Sequence, residues 1–386
     1  MLVIIGFAAF WYGMVPVAGA FVNRRGWRSF RRRFDDLRLR PFLDYAAYRR
    51  GEAGLYRFIG GFESVTDGHT LWIRNDDLTI PIFLSGAHTY VLPMPEKDEP
   101  SGIFDPGKET PARIDWDRVT SLTEGAKVFV GGALLARNNR LTFVSERDTP
   151  LLVIFYDGPD RSLTARTIRA GRDGHEYWNV VTPYALIAGA FCQLLIALNF
   201  LQRPAFRLTA LSAFIAVFIP LFPMIPPGFA LTILYKRLWW QARVFRAYRD
   251  LARLPLKHLP SGQGQGRLPD GELYMGLYCE SLSDEVKAAM ENRTLPLLIP
   301  EKAADKHRGW YIFGAVPENN GEAVSALPRV PRDVFAACGI IPGNPQELAR
   351  NFTRGAYILE IISWIALLAG ISLNIFFIGM IIVLLN

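Results

Sequence analysis

Three arginines at three-residue spacing, Arg166, Arg169 and Arg172, are the first place where this chain could hold an anion. Guanidinium groups clamp phosphate oxygens in pairs, so the set suits a ligand phosphate or a lipid head group. Tyr177-Trp178 and a long apolar run follow almost at once, which favours head groups at a membrane interface. A second basic set, Arg243, Arg246 and Arg253, lies opposite Trp240, Val244, Ala247, Tyr248 and Leu251 at helical spacing. That pattern predicts a helix lying in the inner-leaflet interface. Four prolines, Pro220, Pro223, Pro226 and Pro227, interrupt an apolar run. Each removes a backbone donor, so the run cannot be one straight helix. It reads either as a hinge or ligand crevice inside the membrane or as a structural bend. Glu360 is a lone acid in the last apolar segment, either a functional group or the partner of a neighbouring arginine.

Catalytic chemistry is not legible. No GxSxG, HExxH, Walker A or paired CxxC motif occurs, and the five His are scattered. Cys192, Cys279 and Cys338 have neither zinc nor disulfide-framework spacing. No enzyme, metal or cofactor is expected. Ser261 to Gly266 alternates glycine with polar residues, but a proline precedes it and no strand leads in, so it reads as a flexible linker.

The elements that position these residues follow from hydropathy and charge. Half of the 386 residues are hydrophobic, and the formal net charge is +7. Four apolar segments predict an integral membrane protein with four transmembrane helices: 1–22, 182–201, a proline-kinked 208–235, and 356–385. Basic stretches flank them. Asn23 to Arg50 holds ten Arg against three Asp, and Tyr235 to Lys257 holds seven basic residues against one Asp. The first, 23–50, predicts a juxtamembrane helix whose Trp27, Phe30, Phe34 and Leu37 share a face, suited to the interface or to packing on the next domain. The second predicts an interfacial helix over 236–257. The positive-inside rule then puts both soluble segments in the cytoplasm of a plasma or inner membrane, and both termini outside. Arg203 and Arg207, in the turn of the hairpin, run against that assignment.

The first soluble segment, 51–178, changes period to two. Candidate strands are Leu55–Glu63, His69–Arg74, Leu78–Leu84, Thr89–Leu92, Lys127–Gly132, Leu141–Ser145 and Leu151–Tyr156, separated by Asp-Gly and Asn-rich turns. Pro93 to Ala112 reads as a long inserted loop. Many short strands with tight turns predict a mainly-β small barrel. Ile80–Leu84 with Thr89–Pro93, and Glu124–Gly132 with Asn138–Phe143, resemble the central and final hairpins of the GIDE-type membrane-anchored module, known from mitochondrial membrane ubiquitin ligases. The resemblance covers about 78–145 and implies an OB-like barrel between membrane helices. It does not imply ligase activity, because the RING cysteines are missing.

The second soluble segment, 258–345, mixes strand signals (Leu273–Tyr278, Leu295–Ile299, Trp310–Val316) with helical ones (Ser283–Asn292, Arg332–Cys338), which predicts a small α+β domain. Asn344-Pro345-Gln346-Glu347 is a helix start, with a capping Asn and Pro at the first helical position. The function expected is a multi-pass scaffold or regulator with cytoplasmic interaction domains. The alternative is a transport-accessory or lipid-handling protein that uses the proline-broken arm as a crevice. Expected partners are anionic inner-leaflet lipids and another protein, with self-association allowed and nucleic acid not expected.

Overall fold

A computed structural model describes residues 2–76, 78–92, 112–114, 116, 125–137, 140–172, 177–292, 295–304, 309–316, 318–319, 322–323 and 327–384. The expected 93–112 loop lies outside the described residues except at Ala112. In chain order the elements begin with α1 (Leu2–Ala8), a π-helical turn, α2 (Val15–Leu37) and α3 (Tyr45–Arg50). Strands β1 (Gly54–Thr66), β2 (Thr70–Arg74), β3 (Thr79–Phe83), β4 (His88–Leu92), β5 (Ala112–Ile114), β6 (Lys127–Arg137), β7 (Arg140–Val144) and β8 (Leu152–Tyr156) follow. Next come α4 (Ser162–Arg169), α5 (Thr182–Leu201), α6 (Arg207–Val217) and α7 (Gly228–Ala252). The last part holds β9 (Gly264–Arg267), β10 (Leu273–Cys279), α8 (Asp284–Glu291), β11 (Trp310–Ala315), the short pair β12 (Glu318–Asn319) and β13 (Glu322–Ala323), β14 (Gly339–Pro342) and α9 (Pro345–Leu384).

The chain divides into two compact units. One comprises Met1–Arg28, Arg172–Arg246 and Thr353–Asn386; the other comprises Ser29–Gly171 and Ala247–Phe352. Among the described residues three helices are long and apolar enough to cross a membrane: Leu2–Leu37, Thr182–Leu201 and Pro345–Phe377. That marks a membrane protein.

The stretch 208–235, expected to kink or unwind at its prolines, is interrupted there. It is α6, a 3-10 turn over Ile219–Met224 that contains Pro220 and Pro223, and the start of α7 beyond Pro226-Pro227. Nor does a boundary fall at 235/236, since α7 runs straight through it. In the N-terminal segment Pro16 cannot donate to the Tyr12 carbonyl four residues earlier. The hydroxyl of Tyr177 donates to that carbonyl instead, at 2.8 Å. Gly189 of α5 lies against Trp11 and Tyr12, where a Cβ would come within 2.5 Å of the Tyr12 ring.

In the other unit, β1-β2-β3-β7-β6 close into a five-stranded barrel through the β1–β6 pairing. Only β3 and β7 run parallel within that ring. This order is compatible with an OB-like module. Strand β6 continues the sheet outward through β8, β4 and β5. Alternation puts Phe58, Leu71, Ile73, Ile80, Ile82, Val130 and Phe143 inside, all with no exposure. On α2, Phe30 and Phe34 are buried against the β-structure, with ring centroids 4.1 Å from Tyr90 and 5.2 Å from Phe129. Leu37 sits over Gly131, where a Cβ would come within 2.9 Å of it. The aromatic stripe of this helix is therefore spent on protein.

A second sheet, ordered β14-β11-β10-β9, belongs to the same compact unit. The expected 258–345 domain is thus not a separate body by its contacts. Helix α8 is capped by Ser283, whose hydroxyl accepts from the Val286 N–H at 3.4 Å. Two local expectations fail here. Leu297 makes one bridge to Ile340 and no strand, and 332–338 is a run of turns with no helix. The Gly-rich linker also carries an edge strand, β9. It pairs with β10 and passes so close to the His258 carbonyl that a Cβ on Gly266 would lie 2.7 Å from it. Glycine serves close approach there, which composition alone reads as flexibility.

Candidate functional site

The proline break is built around one side chain that sequence reading passed over. Pro220, Pro223 and Pro226-Pro227 break the helix here, and the Phe222 and Ile225 carbonyls each keep one backbone donor, from Ile225 and Phe229, at 3.1 Å. Asn374, on α9 and 2 % exposed, adds side-chain bonds to both and meets the Gly228 N–H at the start of α7. Its Nδ2 donates to the carbonyls of Phe222 at 2.5 Å and Ile225 at 3.0 Å, and its Oδ1 accepts from the Gly228 N–H at 3.0 Å. Gly228 and Gly370 let α7 and α9 approach closely there: a Cβ on Gly228 would lie 2.6 Å from the Gly370 carbonyl. An amide with both donor and acceptor capacity is the residue type that can close such a gap inside an apolar environment. The signal was present in the sequence as the lone Asn of an apolar run.

The same two helices are fastened again by ions. Arg246 grips Glu360 with Nε on Oε1 at 2.7 Å and Nη2 on Oε2 at 2.6 Å. Arg243 donates to Oε1 at 2.9 Å and lies over the Trp239 ring at 4.1 Å. Tyr235, Trp239 and Trp364 cluster beside it, with ring centroids 6.0–6.2 Å apart. Glu360 is therefore the partner of neighbouring arginines, and two of the expected head-group arginines are engaged with it. Arg253 lies just past the end of α7 and is exposed. A further buried amide, Gln193 on α5, donates to the Ile4 carbonyl at 2.9 Å.

The first arginine set does not share a helical face. Helix α4 ends at Arg169, and Gly171, at φ 67°, turns the chain before Arg172. Arg166 is buried, and its guanidinium donates to the carbonyls of Leu92, at 2.5 Å, and Asp157. Arg169 is half-buried and Arg172 buried. Arg166 thus ties α4 to the ends of β4 and β8, a backbone-holding role that periodicity cannot reveal.

A second constellation joins the barrel to the second sheet. Arg57 of β1 forms a bidentate pair with Asp333 at 2.9 and 2.5 Å, with side chains 3 % and 8 % exposed. Arg57 Nε also donates to the Arg40 carbonyl at 2.7 Å, and Asp333 Oδ1 accepts from the Phe335 N–H at 3.0 Å. Arg38, fully buried, donates to Asp35 and to the Phe335 carbonyl, each at 3.0 Å. Asp35 also receives Lys257 at 2.6 Å. Phe335 fills the space between Phe34 and Phe129, at 6.3 and 5.2 Å. The His258 ring lies against Tyr274 at 4.9 Å and a 55° tilt, and burial together with the nearby Arg38 pushes its pKa down to about 4. Burial drives the Tyr274 hydroxyl well above its ordinary range; that hydroxyl donates to the Ala337 carbonyl at 2.7 Å.

Among the described residues no group of three or more His, Cys, Asp or Glu could hold a metal ion. No family model, curated protein or solved structure matches the chain.

Proposed function

We propose that this chain is a multi-pass membrane scaffold or regulator that presents the unit of Ser29–Gly171 and Ala247–Phe352 to a protein partner on the cytoplasmic side. The observation that carries the reading is the closed proline break. Asn374 bonds two carbonyls and one N–H at 219–228, which supports reading the break as a fastening between helices. In this reading α6 and the start of α7 together complete a fourth crossing, and anionic inner-leaflet lipids meet exposed basic residues such as Arg253. The second sheet with α8 serves as a small α+β element of the presented body. From the GIDE-type resemblance the proposal takes only the placement of an OB-like module beside membrane helices.

The test places a photo-crosslinking residue at Val65, Trp72 or Arg74 on the outside of the barrel, with Ile187 on the exposed face of α5 as control, in living cells. A scaffold gives one protein adduct of fixed mass from the barrel positions and none from Ile187. Pro223→Ala and Pro226→Ala retain that adduct. The reading is wrong if the barrel positions give no adduct while either proline variant changes lipid or solute uptake, which is the lipid-handling alternative.

A further inference from the structure

We propose that the joint between the barrel and the second sheet is an acid-operated latch, with His258 as its trigger. The geometry of the joint carries this. Arg38 and Arg57 face Asp35 and Asp333 there, with Lys257 exposed at the edge, so the inner charges are already paired. Both carboxylates are engaged. Asp333 is gripped by Arg57 and accepts the Phe335 N–H, and Asp35 is shared by Arg38 and Lys257. His258 follows directly after the 3-10 turn Pro255–Lys257 and is packed on three sides. Its ring lies against Tyr274 of β10, its carbonyl lies close over Gly266 of β9, and Arg38 comes from just past the end of α2. The ionisable groups that face it are Arg38, Lys257, Tyr274 and Asp333, and only Asp333 favours a charged ring. Two buried nitrogens of the joint, Arg38 Nη2 and His258 Nε2, have no hydrogen-bond partner among the described residues. A proton on His258 therefore adds an uncompensated cation to a half-buried site whose two carboxylates are already engaged. The relief is separation: the Arg57–Asp333 and Arg38–Phe335 contacts part, and His258 reaches water.

The sign follows from linkage. The folded-state pKa of His258 is depressed, so closure is unaffected above pH 6.5 and is lost as pH falls from 6.5 towards 4. With those two values, opening is favoured roughly 30-fold more at pH 5 than at pH 7.5.

Hydrogen exchange on the full-length protein in detergent micelles reads this directly. The reporters are the amides of Leu43 and Arg57, which bond the segment between α2 and α3 to β1, and those of Phe335 and Ala336. After correction for the intrinsic pH dependence of exchange, these amides lose protection by roughly 30-fold at pH 5, while those of α8 hold. His258→Phe, which keeps a ring on Tyr274, and His258→Gln both flatten the response, and His88→Phe leaves it intact. A flat wild-type profile overturns the proposal. So does a response that persists in both His258 variants, or a loss of protection spread evenly over the unit.

Discussion

Arg57 and Asp333, separated by 276 positions in sequence, meet as a two-pronged pair whose side chains are almost fully buried. One belongs to the first strand of the barrel and the other to a loop that precedes β14. Breaking one partner leaves the other charged and dry, which costs about 3–5 kcal/mol. Arg57→Met and Asp333→Leu should each lower the free energy of chemical unfolding of this unit by that amount. The double variant should recover part of the loss, because no lone charge is left behind. Equal losses in the singles and the double would show that shape, not charge, is what the joint needs.

Asn374 makes a sharper demand. Replacing it with Leu removes three hydrogen bonds at the proline break and leaves the Gly228 N–H unmet, at a cost of about 1–3 kcal/mol when buried, while the Phe222 and Ile225 carbonyls keep their backbone donors. Asn374→Leu should lower the midpoint of thermal unfolding in detergent well below that of Asn199→Leu. Asn199 is exposed on α5 and bonds only to the Leu195 carbonyl of its own helix. Indistinguishable midpoints would remove the fastening.

Close approach can be tested by adding one methyl group. Gly228→Ala sets a Cβ at 2.4 Å from Asn374 Nδ2 and 2.6 Å from the Gly370 carbonyl, whereas Gly6→Ala meets nothing within 4 Å. The first should destabilise α7 against α9, by about 1–3 kcal/mol for an overpacked site, and the second should be neutral. A cysteine pair spanning those helices, read by its rate of disulfide formation, reports the difference.

Cys338 should be an unreactive thiol. Burial pushes its pKa from 9.0 up to about 11, so the thiolate at pH 8 is about a hundredfold scarcer than for an ordinary thiol. In a Cys192→Ser, Cys279→Ser background, maleimide labelling at pH 8 should be at least that much slower than for a small free thiol. Unfolding in denaturant should restore the ordinary rate. Fast labelling of the folded protein would mean that the packing around β14 is open.

Period and composition were enough to locate most elements. The two-residue alternation from Leu55 to Tyr156 and the 3.6-residue stripe of Phe30, Phe34 and Leu37 reflect which side of a strand or helix avoids water, and that is a local property. The cap at Asn344, whose side chain accepts from the Gln346 N–H at 2.9 Å, is equally local. Charge beside apolar runs marked a membrane protein for the same reason. The sequence could not show which polar groups meet. Asn374 with the 219–228 backbone, Glu360 with Arg243 and Arg246, and Arg57 with Asp333 are separated by 114 to 276 positions. Such pairings are set by how helices and sheets pack, and no window of residues encodes that packing. The same limit explains the misread pieces. Gly264–Arg267 becomes a strand because β10 offers it an edge, and Arg166 turns inward because two carbonyls wait there. Local residue types determined the elements; tertiary structure alone decided which buried donors and acceptors satisfy one another, because an unpaired polar group inside costs more than any local preference can offset.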